Sequence, residues 1–163
     1  MTIFIKPNTT HHNTYYVLAQ FDEEVPMLKR VVFAKDESEI IDFLNLCNPK
    51  DDDRILFDGT VYAQTGIDLR KATEHNIFLY RNRNASNVND SLSKITANYI
   101  ASQARWIKSN MRYSKEMKDD ADFNRFLQLM KDYKPANPNC DTAAAEMMAD
   151  AARFIRKQNF YIS

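Results

Sequence analysis

Glycine is nearly missing from this sequence, with two in 163 residues against an ordinary usage of about 7%. Phosphate-cradling loops, nucleophile elbows and dinucleotide fingerprints need glycine, because backbone must approach a ligand closely or adopt positive φ. Gly59 in "FDGT" and Gly66 in "QTGID" read as turn positions, which leaves none for such a loop. Cysteine is as scarce. Cys47 and Cys140 lie far apart without a CxxC partner, which predicts two unbonded thiols in a reducing compartment. Charge of one sign is not in excess, since Lys plus Arg and Asp plus Glu each number 22; no global field selects nucleic acid or an anionic membrane. No apolar run approaches the roughly 18 residues of a membrane span, and "MTIFIKPN" lacks a signal-peptide core. A cytoplasmic location without membrane attachment is expected.

What is present is an apolar fraction of 44% and an aromatic fraction of 12%, sufficient to bury a real core. Up to about residue 84 the pattern is that of strands: "TIFI" at 2–5, "TYYVLAQF" at 14–21, "LKRVVFA" at 28–34, "RILF" at 54–57, "TVYAQ" at 60–64 and "NIFLY" at 76–80 are short and rich in β-branched and aromatic residues. The Asp58–Gly59 pair between two of them suits a type I′ turn, so residues 54–64 are predicted as a hairpin. One helix interrupts the series, over 36–47, with Asp36 as N-cap and Asn48–Pro49 as its stop. A second short helix is expected in "IDLRKATEHN", capped by Asp68.

The asparagine-rich stretch "NRNASNVNDS" at 82–91 reads as a linker, and the period then becomes helical. Leu92, Ile95, Tyr99, Gln103, Trp106 and Met111 follow one helical line. "DDADFNRFLQLMKDY" repeats the pattern, and "CDTAAAEMMADAARFIRKQNF" does so after an Asp141 cap. The expectation is an α+β protein, with a mainly antiparallel sheet and one packed helix in residues 1–84 and three helices in residues 85–163.

Chemistry is sparse in this sequence. His11 and His12 precede a strand, and "HNT" at 12–14 is half of the H-x-T pair used by two-histidine phosphoesterases. The only other histidine, His75, has Ile77 at the hydroxyl position, so the pair is incomplete and the histidines read as polar residues at a strand start. Zinc fares no better, because adjacent strand residues point to opposite faces. "PKDDDR" lacks the spacing and the glycine of a calcium loop. Cys140, before a helix start, is the better nucleophile of the two thiols, yet no histidine neighbours it. No catalytic, cofactor-binding or metal-binding residue is therefore expected.

Binding is the larger class left. "FLYRNRN" at 78–84 interleaves aromatic and basic residues in the manner of single-stranded nucleic-acid surfaces, which makes an RNA or single-stranded DNA module one alternative and a small phosphoesterase-like hydrolase a second. The favoured expectation is a non-enzymatic protein-binding regulator or inhibitor, similar in composition to small accessory proteins of tailed phages that block a host enzyme or defence protein. Homo-oligomers are compatible with it. Its contact residues would be the aromatic anchors Trp106, Tyr99 and Tyr113 and the acidic run Asp51, Asp52 and Asp53.

Overall fold

A computed structural model describes residues 1–8, 15–22, 27–81, 112–113, 115–133 and 142–162. The class is α+β. Strands β1 (Thr2–Pro7), β2 (Tyr16–Asp22) and β3 (Met27–Ala34) are followed by helix α1 (Glu37–Cys47), strand β4 (Arg54–Asp58), helix α2 (Gly59–Thr73) and strand β5 (Ile77–Tyr80). Strand β6 (Arg112–Tyr113), a 3-10 turn (Lys115–Asp119), helix α3 (Ala121–Asp132) and helix α4 (Ala143–Ile162) complete the described order.

The sheet runs β5-β4-β1-β2-β3-β6. Its β1–β2 and β2–β3 pairings are antiparallel, while β1–β4, β4–β5 and β3–β6 are parallel, so the sheet is mixed. The chain moves one way from β1 to β3, then returns across β1 to lay down β4 and β5 on its other side. That reversal is a topological switch point, and the carboxyl ends of β1, β4 and β5 all face the same rim.

Alternation along the strands divides the core in two. Ile3, Ile5, Leu18, Ile55, Phe57 and Ile77 face α1 and α2, meeting Ile40, Phe43, Leu44 and Leu69. Phe4, Val17, Ala19, Phe21, Leu56 and Tyr80 face the other way, onto Met117, Phe123, Phe126, Ala144, Met147, Met148 and Ala151. With both faces covered, the strands read as nearly continuous apolar runs. Each fully buried Phe, Leu or Ile contributes roughly 1.5–3 kcal/mol.

Helix α1 forms as its caps dictate: the Asp36 carboxylate accepts from Glu39 N, and Asn48 closes the helix at φ 47°. The predicted 54–64 hairpin is corrected. Asp58 is the N-cap of α2, accepting from Thr60 N, and "TVYAQ" lies in the first turns of α2, kinked at Tyr62 (φ −110°, ψ 44°). Asp-Gly suits a tight turn and a helix start equally well, and here the helix wins because it brings β5 alongside β4 in parallel. Asp68 lies inside α2, where it accepts from Gln64, so it caps nothing. Gly66 is needed for packing, since a Cβ there would meet Leu79 Cδ2 at 2.5 Å and Phe57 Cδ1 at 2.9 Å.

Two of the three expected C-terminal helices are α3 and α4. Most of the helix expected over 90–113 lies outside the described residues, as does Asp141; Arg112 and Tyr113, at its end, are strand β6. Among the described residues no helix is long and apolar enough to cross a membrane.

Candidate functional site

Lys6 is two residues beyond Phe4 in β1 and therefore points to the same face, beneath α4. Its side chain is 3% exposed. A buried ammonium needs compensating charge, and three carboxylates supply it. Lys6 Nζ donates to Asp58 Oδ2 at 2.7 Å and to Asp150 Oδ2 at 2.9 Å, and Glu146 Oε2 lies 3.8 Å away. Asp58 comes from the end of β4, while Glu146 and Asp150 are one helical turn apart on α4 and so share a face. Tyr80, at the end of β5, donates its hydroxyl to Asp150 Oδ2 at 2.7 Å.

Each carboxylate is held by a second group as well. Asp58 Oδ1 accepts from Thr60 N at 3.0 Å and Thr60 Oγ1 at 2.6 Å, Asp150 accepts from Tyr80, and Glu146 Oε1 accepts from Thr142 Oγ1 at 3.1 Å. The cluster thus ties the first strand to the last helix at the rim where β1, β4 and β5 end.

These contacts set the protonation states. Burial alone would lower the Lys6 pKa, but the carboxylates of Asp150, Glu146 and Asp58 outweigh it and hold the ammonium above its ordinary range. Lys6 is therefore a fixed positive charge and no nucleophile. Burial pushes Asp58 upward, yet the Lys6 charge and the Lys6 and Thr60 hydrogen bonds carry it below the usual carboxylate value. Glu146 differs: burial raises its pKa, the Lys6 ammonium offsets only part of the rise, and the net shift is upward. Its side chain keeps 29% exposure. A partly accessible carboxyl whose pKa is raised by burial, beside a fixed cation, is suited to exchanging protons with a bound group. Burial and the Asp150 carboxylate hold the Tyr80 phenol well above its usual value, so it stays a donor.

Asp58, Glu146 and Asp150 are also the carboxylates that a metal ion would use at this rim. Lys6 Nζ already stands among them, and among the described residues no group of three His, Cys, Asp or Glu side chains could hold a metal ion. With Lys6 in place the set does not fit a metal.

Of the residues expected to carry function, those described lie outside this cluster. Asp51, Asp52 and Asp53 line a groove of about 430 Å³ with Arg54, Asn76, Phe78 and Phe154. Asp53 is committed there, accepting from the Met1 amino group at 3.1 Å and Lys50 N at 2.8 Å. Tyr113 lies in β6, and Trp106, Tyr99, His11, His12 and Cys140 lie outside the described residues. Burial pushes the Cys47 thiol up to about 11 against the opposing pull of Arg30, and its Sγ donates to Gln20 Oε1 at 3.4 Å, which describes an inert thiol. The sequence pointed to none of Lys6, Glu146 and Asp150; Asp58 read as a turn residue, and Tyr80 as part of the aromatic and basic "FLYRNRN" stretch. One signal was available: a lysine that continues the inward face of "TIFIK".

No family profile matches the chain, and no curated protein does. Among solved structures the chain is similar to a human cytomegalovirus terminase nuclease domain, manganese-soaked and inhibitor-bound. The TM-score is 0.45 and the identity 14%, over 95% of this chain and 82% of that one. The neighbour is an enzyme domain, and on that finding the expectation of a non-enzymatic inhibitor of a host enzyme is withdrawn. At this TM-score no residue role is carried from it to this chain.

Proposed function

We propose that the Lys6 cluster is the reacting centre of a phosphodiester-cleaving enzyme of nuclease type, with Glu146 as the proton-transfer group and the Lys6 ammonium as its fixed positive charge. The observation that carries this reading is the convergence of Asp58, Glu146 and Asp150 on one buried cation at the carboxyl ends of β1 and β4, where open α/β sheets place their ligands. Asp58 and Asp150 position Lys6 and touch no substrate. Glu146, at the exposed edge, accepts a proton from the attacking water as its oxygen bonds to phosphorus. It returns the proton to the leaving oxygen as the ester bond breaks.

The substrate class follows from strand β5. It places Phe78, 58% exposed, on the same face as Tyr80, which enters the cluster, and exposed Arg81 follows directly after the strand. The Arg153 guanidinium lies 5.7 Å from the Tyr80 ring centroid and 4.8 Å from that of Phe154. A polyanion reaching the rim meets two guanidinium groups that offset the surplus carboxylate charge, and an exposed ring on which a base stacks.

The test uses the full chain with labelled single-stranded and duplex oligonucleotides, in EDTA and in Mg²⁺. Cleavage that persists in EDTA and falls 10²-fold or more in Glu146→Gln is the expected result. Binding without cleavage, or cleavage that ignores Glu146→Gln, overturns the assignment and leaves the cluster as an anchor for α4.

A further inference from the structure

The groove of about 430 Å³ is lined by two phenylalanines, Phe78 of β5 and Phe154 of α4, and by Leu56 of β4. Its size suits a small planar ligand, since ligand clefts run from about 300 to 1,000 Å³. Phe78 is 58% exposed although it shares a face with buried Tyr80, so its ring is open for stacking. Phe154 joins the groove to the Lys6 cluster: its ring centroid lies 5.3 Å from that of Tyr80, whose hydroxyl donates to Asp150.

The two ends of the groove differ in charge. Asp51 and Asp52 are exposed just ahead of β4, and Asn76 is exposed just ahead of β5. At the other end, exposed Arg81 follows β5 and the Arg153 guanidinium lies by the Tyr80 and Phe154 rings. Phe78 and Tyr80 are two residues apart, about 7 Å along a strand. A phosphate held at the guanidinium end therefore lets a neighbouring base lie on Phe78 with its edge toward the carboxylates. That edge is chemically selective. Carboxylates only accept hydrogen bonds, while the Asn76 carboxamide can donate beside them. Cytosine and adenine offer an exocyclic amine next to an accepting ring nitrogen, whereas thymine and uracil offer a carbonyl oxygen in place of the amine. In a duplex this edge is already paired, so the groove takes a single strand.

We infer that the groove is the base-reading subsite of the proposed reacting centre, and that it selects cytosine or adenine over thymine or uracil in a single strand. The inference rests on the reading of the Lys6 cluster as a phosphodiester-cleaving centre, because that reading supplies the polynucleotide. Phe78 provides the stacking surface, and Asp51, Asp52 and Asn76 provide the selection.

The experiment measures binding of fluorescein-labelled oligo-dC and oligo-dT in EDTA by anisotropy, with Glu146→Gln as the background so that the strand is not consumed. Oligo-dC should bind about tenfold or more tightly than oligo-dT. Asp51→Asn combined with Asp52→Asn should bring the ratio to within about twofold, and Phe78→Ala should weaken both strands by roughly tenfold. The substituted side chains are exposed, so thermal unfolding should show these variants folded like the parent. The inference is overturned if the two strands bind equally, if neither binds, if the preference survives loss of both carboxylates, or if Phe78→Ala changes nothing. The cleavage assay keeps the two readings apart. Cleavage by the wild-type chain with no base preference in binding overturns the subsite and leaves the reacting centre standing, whereas a preference that follows Asp51 and Asp52 in a chain that cleaves nothing supports the groove and removes the reacting centre.

Discussion

Lys6 and Tyr80 donate to the same oxygen of Asp150, at 2.9 and 2.7 Å. The contact joins β1 and β5, which are not neighbours in the sheet, through a side chain of α4. A single carboxylate oxygen is thereby fixed by an ammonium and a phenol, and the energetics of the rim depend on how these donors share it.

Removing the ammonium while keeping most of the side-chain volume, in Lys6→Met, leaves Asp58 and Asp150 as buried anions without their counter-charge. Breaking one side of a buried ion pair costs about 3–5 kcal/mol. Urea unfolding should show a loss of that size; a loss below about 1 kcal/mol would mean that water or another cation replaces Lys6 with ease.

Tyr80→Phe removes one donor to a charged acceptor and keeps the ring that packs against Phe154. The loss should be about 1.5–3 kcal/mol. Because Lys6 and Tyr80 share one oxygen, the Tyr80→Phe and Lys6→Met losses should not add in the double variant. Strict additivity would show that the two donors act separately.

The pH dependence has opposing parts. Lys6 has a folded pKa above its unfolded value near 10.5, so its contribution is complete below that pH and declines as pH rises beyond it. Asp58 has a folded pKa below 3.8, so its contribution holds above that value and is lost as pH falls through the folded pKa. Glu146 runs the other way: its folded pKa lies above 4.5, and its contribution declines as pH rises from 4.5 through the raised value. Glu146→Gln should abolish that decline, while the alkaline loss remains because Asp150 and Asp58 still hold the Lys6 pKa up. Denaturant midpoints across the pH range would show both.

Gly66→Ala and Gly59→Ala should separate cleanly. At Gly66 the new methyl meets Leu79 and Phe57 at 2.5 and 2.9 Å, whereas at Gly59 the nearest atom, Leu79 Cδ2, is 3.2 Å away. Overpacking at Gly66 should cost about 1–3 kcal/mol, and the Gly59 change should be the milder. Equal melting temperatures for the two variants would contradict this packing.

Local signals in the sequence were read correctly where one residue determines the outcome. Asp36 capped α1 as expected, and the apolar runs at 2–5, 14–21 and 28–34 became β1, β2 and β3. Asp58–Gly59 misled because the same two residues start a helix or turn a hairpin, and only the docking of β5 beside β4 decides between them. The parallel pairings were not legible, since crossovers and not local pattern choose which strands meet. One residue of the site is legible: Lys6 shares a face with Phe4 by counting two along β1. Its partners could not, because the register that sets Glu146 and Asp150 over β1 belongs to the packing of α4 and leaves no trace in the helix itself.

Lys6 and Asp150 stand 144 residues apart in the chain, and this separation orders events during folding. As the polypeptide leaves the ribosome, β1, β4 and β5 can assemble while α4 is still unmade, with Asp58 alone beside Lys6 under an uncovered apolar face. Closing so long a loop is slow and entropically costly, so the sheet passes through a period in which Lys6 has only one of its carboxylate partners and no cover from α4. Arrival of α4 brings Glu146, Asp150 and the apolar cover in one step, so its docking removes the exposed apolar surface that chaperones and proteases recognise.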